Sequence, residues 1–180
     1  TVIEESDGEK IKELLARSLP GQVAQFKMAP FDKPRQPVTD HHTKHAGVLI
    51  LLYSRGSNLY TVLIERPQYE GVHSGQISLP GGKSEPGDKN LTETALRETY
   101  EEIGIPSKHI AIIGTLTPLF IPVSNYYVQP CVGMLMSEPF FEKDTKEVEE
   151  IYEISLEHLA HPQALIKEET IPTNNRYIRA

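Results

Sequence analysis

Apolar positions Ile11, Leu14, Leu15 and Leu19 recur at helical spacing between polar neighbours, which predicts an N-terminal helix with Ser6 and Asp7 as candidate caps and Pro20-Gly21 as its stop. Residues 29 to 45, APFDKPRQPVTDHHTKH, hold three prolines and no periodic apolar pattern, so they predict a connection over the surface. Two apolar runs follow, AGVLILLY at 46 to 53 and LYTVLIE at 59 to 65, separated by the turn-forming Arg55-Gly56-Ser57-Asn58. That pattern predicts a hairpin. Residues 110 to 121 and 127 to 136 predict two further strands, and SLEHLAH at 155 to 161 a short helix capped by Ser155. Strands, one long polar-faced helix, more strands and terminal helices imply a mixed α/β domain with helices on both sides of a central sheet.

The polar-faced helix carries the chemistry. In residues 79 to 105, LPGGKSEPGDKNLTETALRETYEEIGI, a glycine turn leads into a segment bearing Arg97, Glu98, Glu101 and Glu102. The carboxylates of Glu98 and Glu102 are four residues apart and those of Glu98 and Glu101 three, so a helix crowds all three together. Gly104 caps the end, which puts the acids at the negative pole of the helix dipole. Repulsion and dipole oppose them together, and a hard divalent cation with oxygen ligands relieves both. A lone Glu-Glu pair reads as a solvated helix face. Here the glycine doublet, the spacing, the arginine and the terminal glycine occur together. Asn90 followed by Glu93 makes a capping box, with Asp88 as the competing cap. Leu91, Ala95, Leu96 and Ile103 are left to face the core.

The segment resembles the Nudix box, G-x5-E-x7-R-E-U-x-E-E-x-G-U with U aliphatic. Its second half matches as Arg97-Glu98-Thr99-Tyr100-Glu101-Glu102-Ile103-Gly104-Ile105, with Thr99 standing for U. In the first half Lys83 and Lys89 occupy the places of the first glycine and glutamate, and Gly82 and Asp88 lie one place earlier. That offset resembles the coenzyme A pyrophosphatase branch of the Nudix hydrolases. So do Leu63-Ile64-Glu65-Arg66 with His73-Ser74-Gly75-Gln76-Ile77-Ser78-Leu79-Pro80-Gly81-Gly82 upstream, and Pro122-Val123 with Tyr127-Val128-Gln129-Pro130-Cys131-Val132 downstream, where Tyr126 can replace Tyr127.

The resemblance implies an α/β/α sandwich with a mixed sheet and a loop-helix-loop catalytic motif. It implies Mg²⁺ or Mn²⁺ held by Glu98 and Glu102, with Glu101 as a third or water-mediated ligand. Arg97 either orients Glu101 through a charge-assisted bond or forms a surface pair with it. Gly81 and Gly82 let the backbone approach the site. Glu147, in the run Glu147-Val148-Glu149-Glu150, is the candidate general base. Arg66 and Lys83 are candidates for substrate phosphates, against a plain reading as surface charge. The implied reaction is hydrolysis of a nucleoside diphosphate derivative, coenzyme A first, to 4′-phosphopantetheine and adenosine 3′,5′-bisphosphate. ADP-ribose or another dinucleotide is the alternative substrate, and a non-catalytic nucleotide sensor the alternative class.

Composition narrows the rest. At 180 residues the chain suits one domain: an N-terminal helical region at 1–28, the connection at 29–45 and a catalytic core at 46–180. A net charge of −7 argues against a general nucleic-acid or membrane surface and leaves small-molecule substrates. No apolar run reaches membrane-spanning length, and the single Cys131 allows no internal disulfide and reads as a buried strand residue. A reducing cytoplasm and a monomer or homodimer are the expectations. His41, His42 and His45 read as a histidine-rich loop, since no cysteine or acidic ligand has matching spacing. Relatives in this branch continue with one more strand and a helix, so a shortened C-terminus is expected, with 174 to 180 an unpaired approach to a strand.

Overall fold

The computed structural model describes residues 5–27, 42–68, 75–122, 124–164, 170–173 and 176–179. Helices α1 (Glu5–Leu15) and α2 (Gly21–Lys27) precede the hairpin of β1 (Lys44–Arg55) and β2 (Asn58–Glu65). The hairpin turns on Gly56-Ser57, with Gly56 at φ 61°, a left-handed conformation that glycine adopts without a Cβ clash. The two strands part further along, and β3 (Ile77–Ser78) then pairs with β2 while β4 (Gly81–Lys83) pairs with β1. Helix α3 (Leu91–Ile103) follows, then β5 (Ile110–Thr115), β6 (Leu119–Ile121) and β7 (Tyr126–Leu135). Next come β8 (Glu150–Ser155), α4 (Leu156–Ala160), β9 (Thr170–Thr173) and β10 (Arg176–Arg179). Among the described residues, eight strands form one sheet in which β1 and β7 run parallel and every other pairing is antiparallel.

Alternation along these strands sends successive side chains to opposite faces. Leu49, Leu51 and Tyr53 of β1, Val62 and Ile64 of β2, and Cys131 and Leu135 of β7 pack with Ala95 and Ile103 of α3. On the other face, Leu52, Val132 and Met134 meet Ile11 and Leu15 of α1 and Leu156 of α4. Helices therefore cover both faces, as a mixed α/β/α sandwich requires. The central position of β1 explains why AGVLILLY is apolar almost throughout, since a strand covered on both sides has no solvent face to mark with polar residues.

Some elements differ from the expectation. Ser6 and Asp7 lie within α1 rather than ahead of it, and Gly21 opens α2 instead of closing a helix. The strand expected over 110 to 121 is broken between β5 and β6, where the Leu116 N–H donates to the Pro130 carbonyl at 2.9 Å and Pro118 has no N–H to give. The tail is not an unpaired strand, because β10 pairs antiparallel with β9 from Arg176↔Thr173 to Arg179↔Thr170. Lys44 and His45, expected in the connection, open β1. His41, most of the connection, His73, Ser74 and Val123 lie outside the described residues.

Candidate active site

The ends of α3 are set by side-chain and backbone bonds. Asn90 is the N-cap, its Oδ1 accepting the N–H groups of Thr92 at 3.0 Å and Glu93 at 2.9 Å. Glu93 reaches back one residue further than a capping box requires, accepting the Lys89 N–H at 3.0 Å. Gly104 ends the helix at φ 76°, donating its N–H to the Tyr100 carbonyl at 2.9 Å. Thr99, at a place where the box has an aliphatic residue, is buried with its hydroxyl donating to the Ala95 carbonyl at 2.6 Å. A satisfied hydroxyl is tolerated there because it brings no orphaned polar atom into the core.

Asp88 is not a cap. Its carboxylate accepts from Arg97 Nε and Nη2, both at 3.1 Å, from the Thr94 hydroxyl at 2.9 Å and from the Glu85 N–H at 2.9 Å. Arg97 also reaches Glu101 at 2.8 Å and Glu98 at 3.0 Å, and donates to the Lys83 carbonyl at 3.0 Å. One guanidinium thus ties the loop to the helix through a two-pronged carboxylate bond. The bond with Arg97, then the Glu85 N–H, holds the Asp88 carboxyl well below the usual carboxylate range. Sequence reasoning noticed Asp88 only as an offset from the box and as a cap. Its distance of nine residues from Arg97 was the available signal for this brace.

The three glutamates of the helix have different surroundings. Glu102 is 2% exposed, and its Oε2 accepts the Gly81 N–H at 2.8 Å while Oε1 lies 3.9 Å from Arg66 Nη2. Burial pushes Glu102 up to about 7, with Glu98 and Glu147 adding to the rise and the Gly81 N–H and Arg66 opposing it. Glu98, with its side chain 15% exposed, is also raised, first by burial and further by Glu101 and Glu147, against the pull of Arg97. Its carboxylate lies against Gly82, where a Cβ would come within 2.4 Å of it. Any side chain at that position would displace the carboxylate. Glu101, half exposed, turns to Arg97 instead.

The remaining candidates distribute around this pair. Gly81 and Gly82 lie in β4 beside the carboxylates, whereas the Lys83 side chain is exposed and only its carbonyl is engaged. Arg66 sits just past β2, its N–H donating to the Gln76 carbonyl at 3.0 Å. Glu147 is an exposed residue between β7 and β8 whose charge acts on both Glu98 and Glu102. His45 lies at the start of β1, its carbonyl accepting the Ser84 N–H at 2.9 Å and its ring 5.7 Å from that of Tyr127. Cys131 is buried and its thiol is raised by that burial, the opposite of an activated nucleophile.

Among the described residues, no three His, Cys, Asp or Glu side chains are placed together so as to hold a metal ion. Arg97 holds Glu98 and Glu101, and the Gly81 N–H holds Glu102. The donors are nevertheless all carboxylate oxygens, two of them desolvated beside one another with an acidic neighbour. That set fits a hard divalent cation sharing its sphere with water and substrate, rather than an all-protein cage.

A family model described as NUDIX domain matches residues 43–173. The protein named uncharacterized Nudix hydrolase NudL of Yersinia enterocolitica is 34% identical over 140 residues, 78% of this chain and 69% of its own length. Among the curated relatives of that name, the chain spans 56 to 69% of their length. Of solved structures, an Ap4A hydrolase of C. elegans superposes with TM-score 0.56 at 20% identity, over 65% of this chain and 83% of that one. The NUDIX domain of Shewanella oneidensis NrtR, in complex with ADP ribose, gives 0.51 at 18%, over 75% and 84%. Likeness at that level is likeness of fold.

Proposed function

This chain belongs to the Nudix hydrolase family, and on that premise we propose that it cleaves the diphosphate linkage of a nucleoside diphosphate derivative with the help of a divalent cation, Mg²⁺ or Mn²⁺. The observation that carries the reading is the buried Glu102 carboxylate on the Gly81 N–H, with Glu98 pressed on Gly82 and Glu147 acting on both. A core of this size gains nothing from like charges so placed. A bound cation would neutralise phosphate oxygens as the anhydride opens. Glu98 and Glu102 would hold it, and Glu101 would contribute directly or through water. Arg97 fixes Glu101 and the loop, and Arg66 and Lys83 supply positive charge for the phosphates. Glu147 accepts the proton of the attacking water.

Coenzyme A is the proposed substrate. Support comes from the motif at 63 to 82, whose Gly81 and Gly82 lie against the carboxylate pair and whose Arg66 lies 3.9 Å from Glu102. The test is product analysis on coenzyme A and ADP-ribose with Mg²⁺, with Mn²⁺ and with chelator. Release of 4′-phosphopantetheine that chelator abolishes is the expected result. Intact coenzyme A beside cleaved ADP-ribose would move the substrate to the dinucleotides. Metal-independent binding with no cleavage would favour a sensor.

A further inference from the structure

Glu147 is exposed on a segment with no regular secondary structure, yet a base must be held to about an ångström to be efficient. The segment is held by the helix it serves. The last carbonyls of a helix lack partners within it. In α3, the Ile103 carbonyl accepts the Glu142 N–H at 3.1 Å and the Glu102 carbonyl accepts the Asp144 N–H at 3.0 Å. The segment then turns about Asp144, whose carbonyl accepts the N–H groups of Glu147 at 3.1 Å and Val148 at 2.8 Å. Its side-chain Oδ1 accepts the Lys146 N–H at 2.9 Å. Past the turn, Val148 is buried in the core and the Glu149 N–H donates to the Glu65 carbonyl at 2.8 Å. Lys143 Nζ donates to the Glu149 carbonyl, closing the segment on itself.

From this geometry we propose that Asp144 is a positioning residue for Glu147, its carboxylate closing the turn that fixes the base against the helix end carrying Glu98 and Glu102. The inference rests on Glu147 being the base. Asp144 is connected by backbone to the carbonyl of Glu102 and by the turn to the N–H of Glu147, so the two working carboxylates share one mechanical frame. Only one oxygen of Asp144 is needed for this. Asparagine supplies that oxygen and alanine does not.

The experiment compares Asp144→Ala, Asp144→Asn and Glu147→Gln in the full chain with coenzyme A and ADP-ribose, and measures Mn²⁺ affinity by electron paramagnetic resonance. Asp144→Ala is expected to lower kcat by about 10- to 100-fold, the scale of a catalytic group displaced by about an ångström, with KM and Mn²⁺ affinity kept. Asp144→Asn should restore most of kcat. If Asp144→Ala folds poorly, Lys143→Met, which opens the same closure from the exposed side, should give a smaller loss of the same kind. Equal losses in the alanine and asparagine variants, or a fall in Mn²⁺ affinity that tracks kcat, would overturn the proposal. Full turnover in Asp144→Ala beside a dead Glu147→Gln overturns the positioning role alone. Full turnover in Glu147→Gln, or a wild-type chain that cleaves neither substrate, removes the base assignment and the positioning role with it.

Discussion

Two charge clusters share helix α3 and are built on opposite rules. At the brace, Asp88 and Arg97 are matched in sign and shape, and the guanidinium is further shared with Glu101 and the Lys83 carbonyl. Beside it, Glu98 takes one bond from the same Arg97 and Glu102, one turn on, takes none, and the two acids face each other as like charges. They are desolvated and exposed to the field of a third acid, Glu147. The brace contributes to the fold on its own. Burial raises both carboxyls, so the ionised pair opposes the fold, and the proposed cation would offset that opposition. Stability and proposed function are therefore separable at Asp88 and at Glu102, while Glu98 and Glu101, both paired with Arg97, belong to each.

The sharpest way to break that comparison is Glu102→Gln. Removing a buried like charge should leave the thermal midpoint in chelator unchanged or raised, while metal affinity and activity fall by at least about 100-fold, the upper scale for outer-sphere changes. A large drop in midpoint with activity retained would show that Glu102 belongs to the scaffold. Asp88→Ala should do the reverse. It strips a charge-assisted bond pair worth about 2 kcal/mol, and the midpoint should fall by about 5 °C, measured by calorimetry in chelator. An unshifted midpoint would mean that the loop is held without the brace.

The two clusters also respond to pH with opposite sign. Asp88 has a lowered carboxyl in the folded chain, so its contribution is present above the ordinary aspartate range and is lost as pH falls below about 4. Glu102 is raised from 4.5 to about 7, so the folded chain binds more protons than the unfolded chain between those values, and stability falls as pH rises through that window. The midpoint in chelator should therefore peak on the acid side of neutrality. Saturating Mg²⁺ or Mn²⁺ should flatten the decline toward pH 7. A midpoint in chelator that climbs steadily from pH 5 to pH 8 would contradict the reading of Glu102 as an acid whose burial outweighs the Gly81 N–H and Arg66.

Elements with local causes were legible in the sequence. The Gly56 turn, the Asn90 and Ser155 caps and the Gly104 stop are each decided by the chemistry of one or two residues, and the structure has them where the pattern put them. Apolar runs likewise marked β1 and β2, and helical spacing marked the core-facing Ala95 and Ile103 of α3. The candidate site was legible in its acids, because spacing on one helix is local information, and in the glycine doublet that precedes them. What distinguishes Glu101 from Glu102 was not. The two are adjacent in sequence, and only the tertiary placement of Arg97 on one side and Gly81 on the other separates them. The tertiary part of the frame around Glu147 was illegible for the same reason, since no side chain announces its backbone bonds to Glu102, Ile103 and Glu65. The break at Leu116 depends on Pro130 in another strand.

That difference between neighbours gives the smallest effect and the finest test. Glu101 is half exposed and its bond to Arg97 lies at the rim of the brace, so an exposed pair of this kind is worth at most about 1 kcal/mol. Glu101→Gln should shift the thermal midpoint by no more than about 4 °C, because Arg97 keeps both bonds to Asp88. If Glu101 contributes to the cation only through water, Mn²⁺ affinity should fall by less than about 10-fold, the low end for an outer-sphere partner. Loss equal to that of Glu102→Gln would instead make it a direct ligand, which requires its carboxylate to leave Arg97 when the cation binds. Measuring Mn²⁺ affinity for Glu101→Gln in an Asp88→Asn background separates the two cases. A direct ligand competes with Arg97 and depends on how firmly Asp88 holds the guanidinium, whereas a water-mediated partner leaves the two substitutions additive.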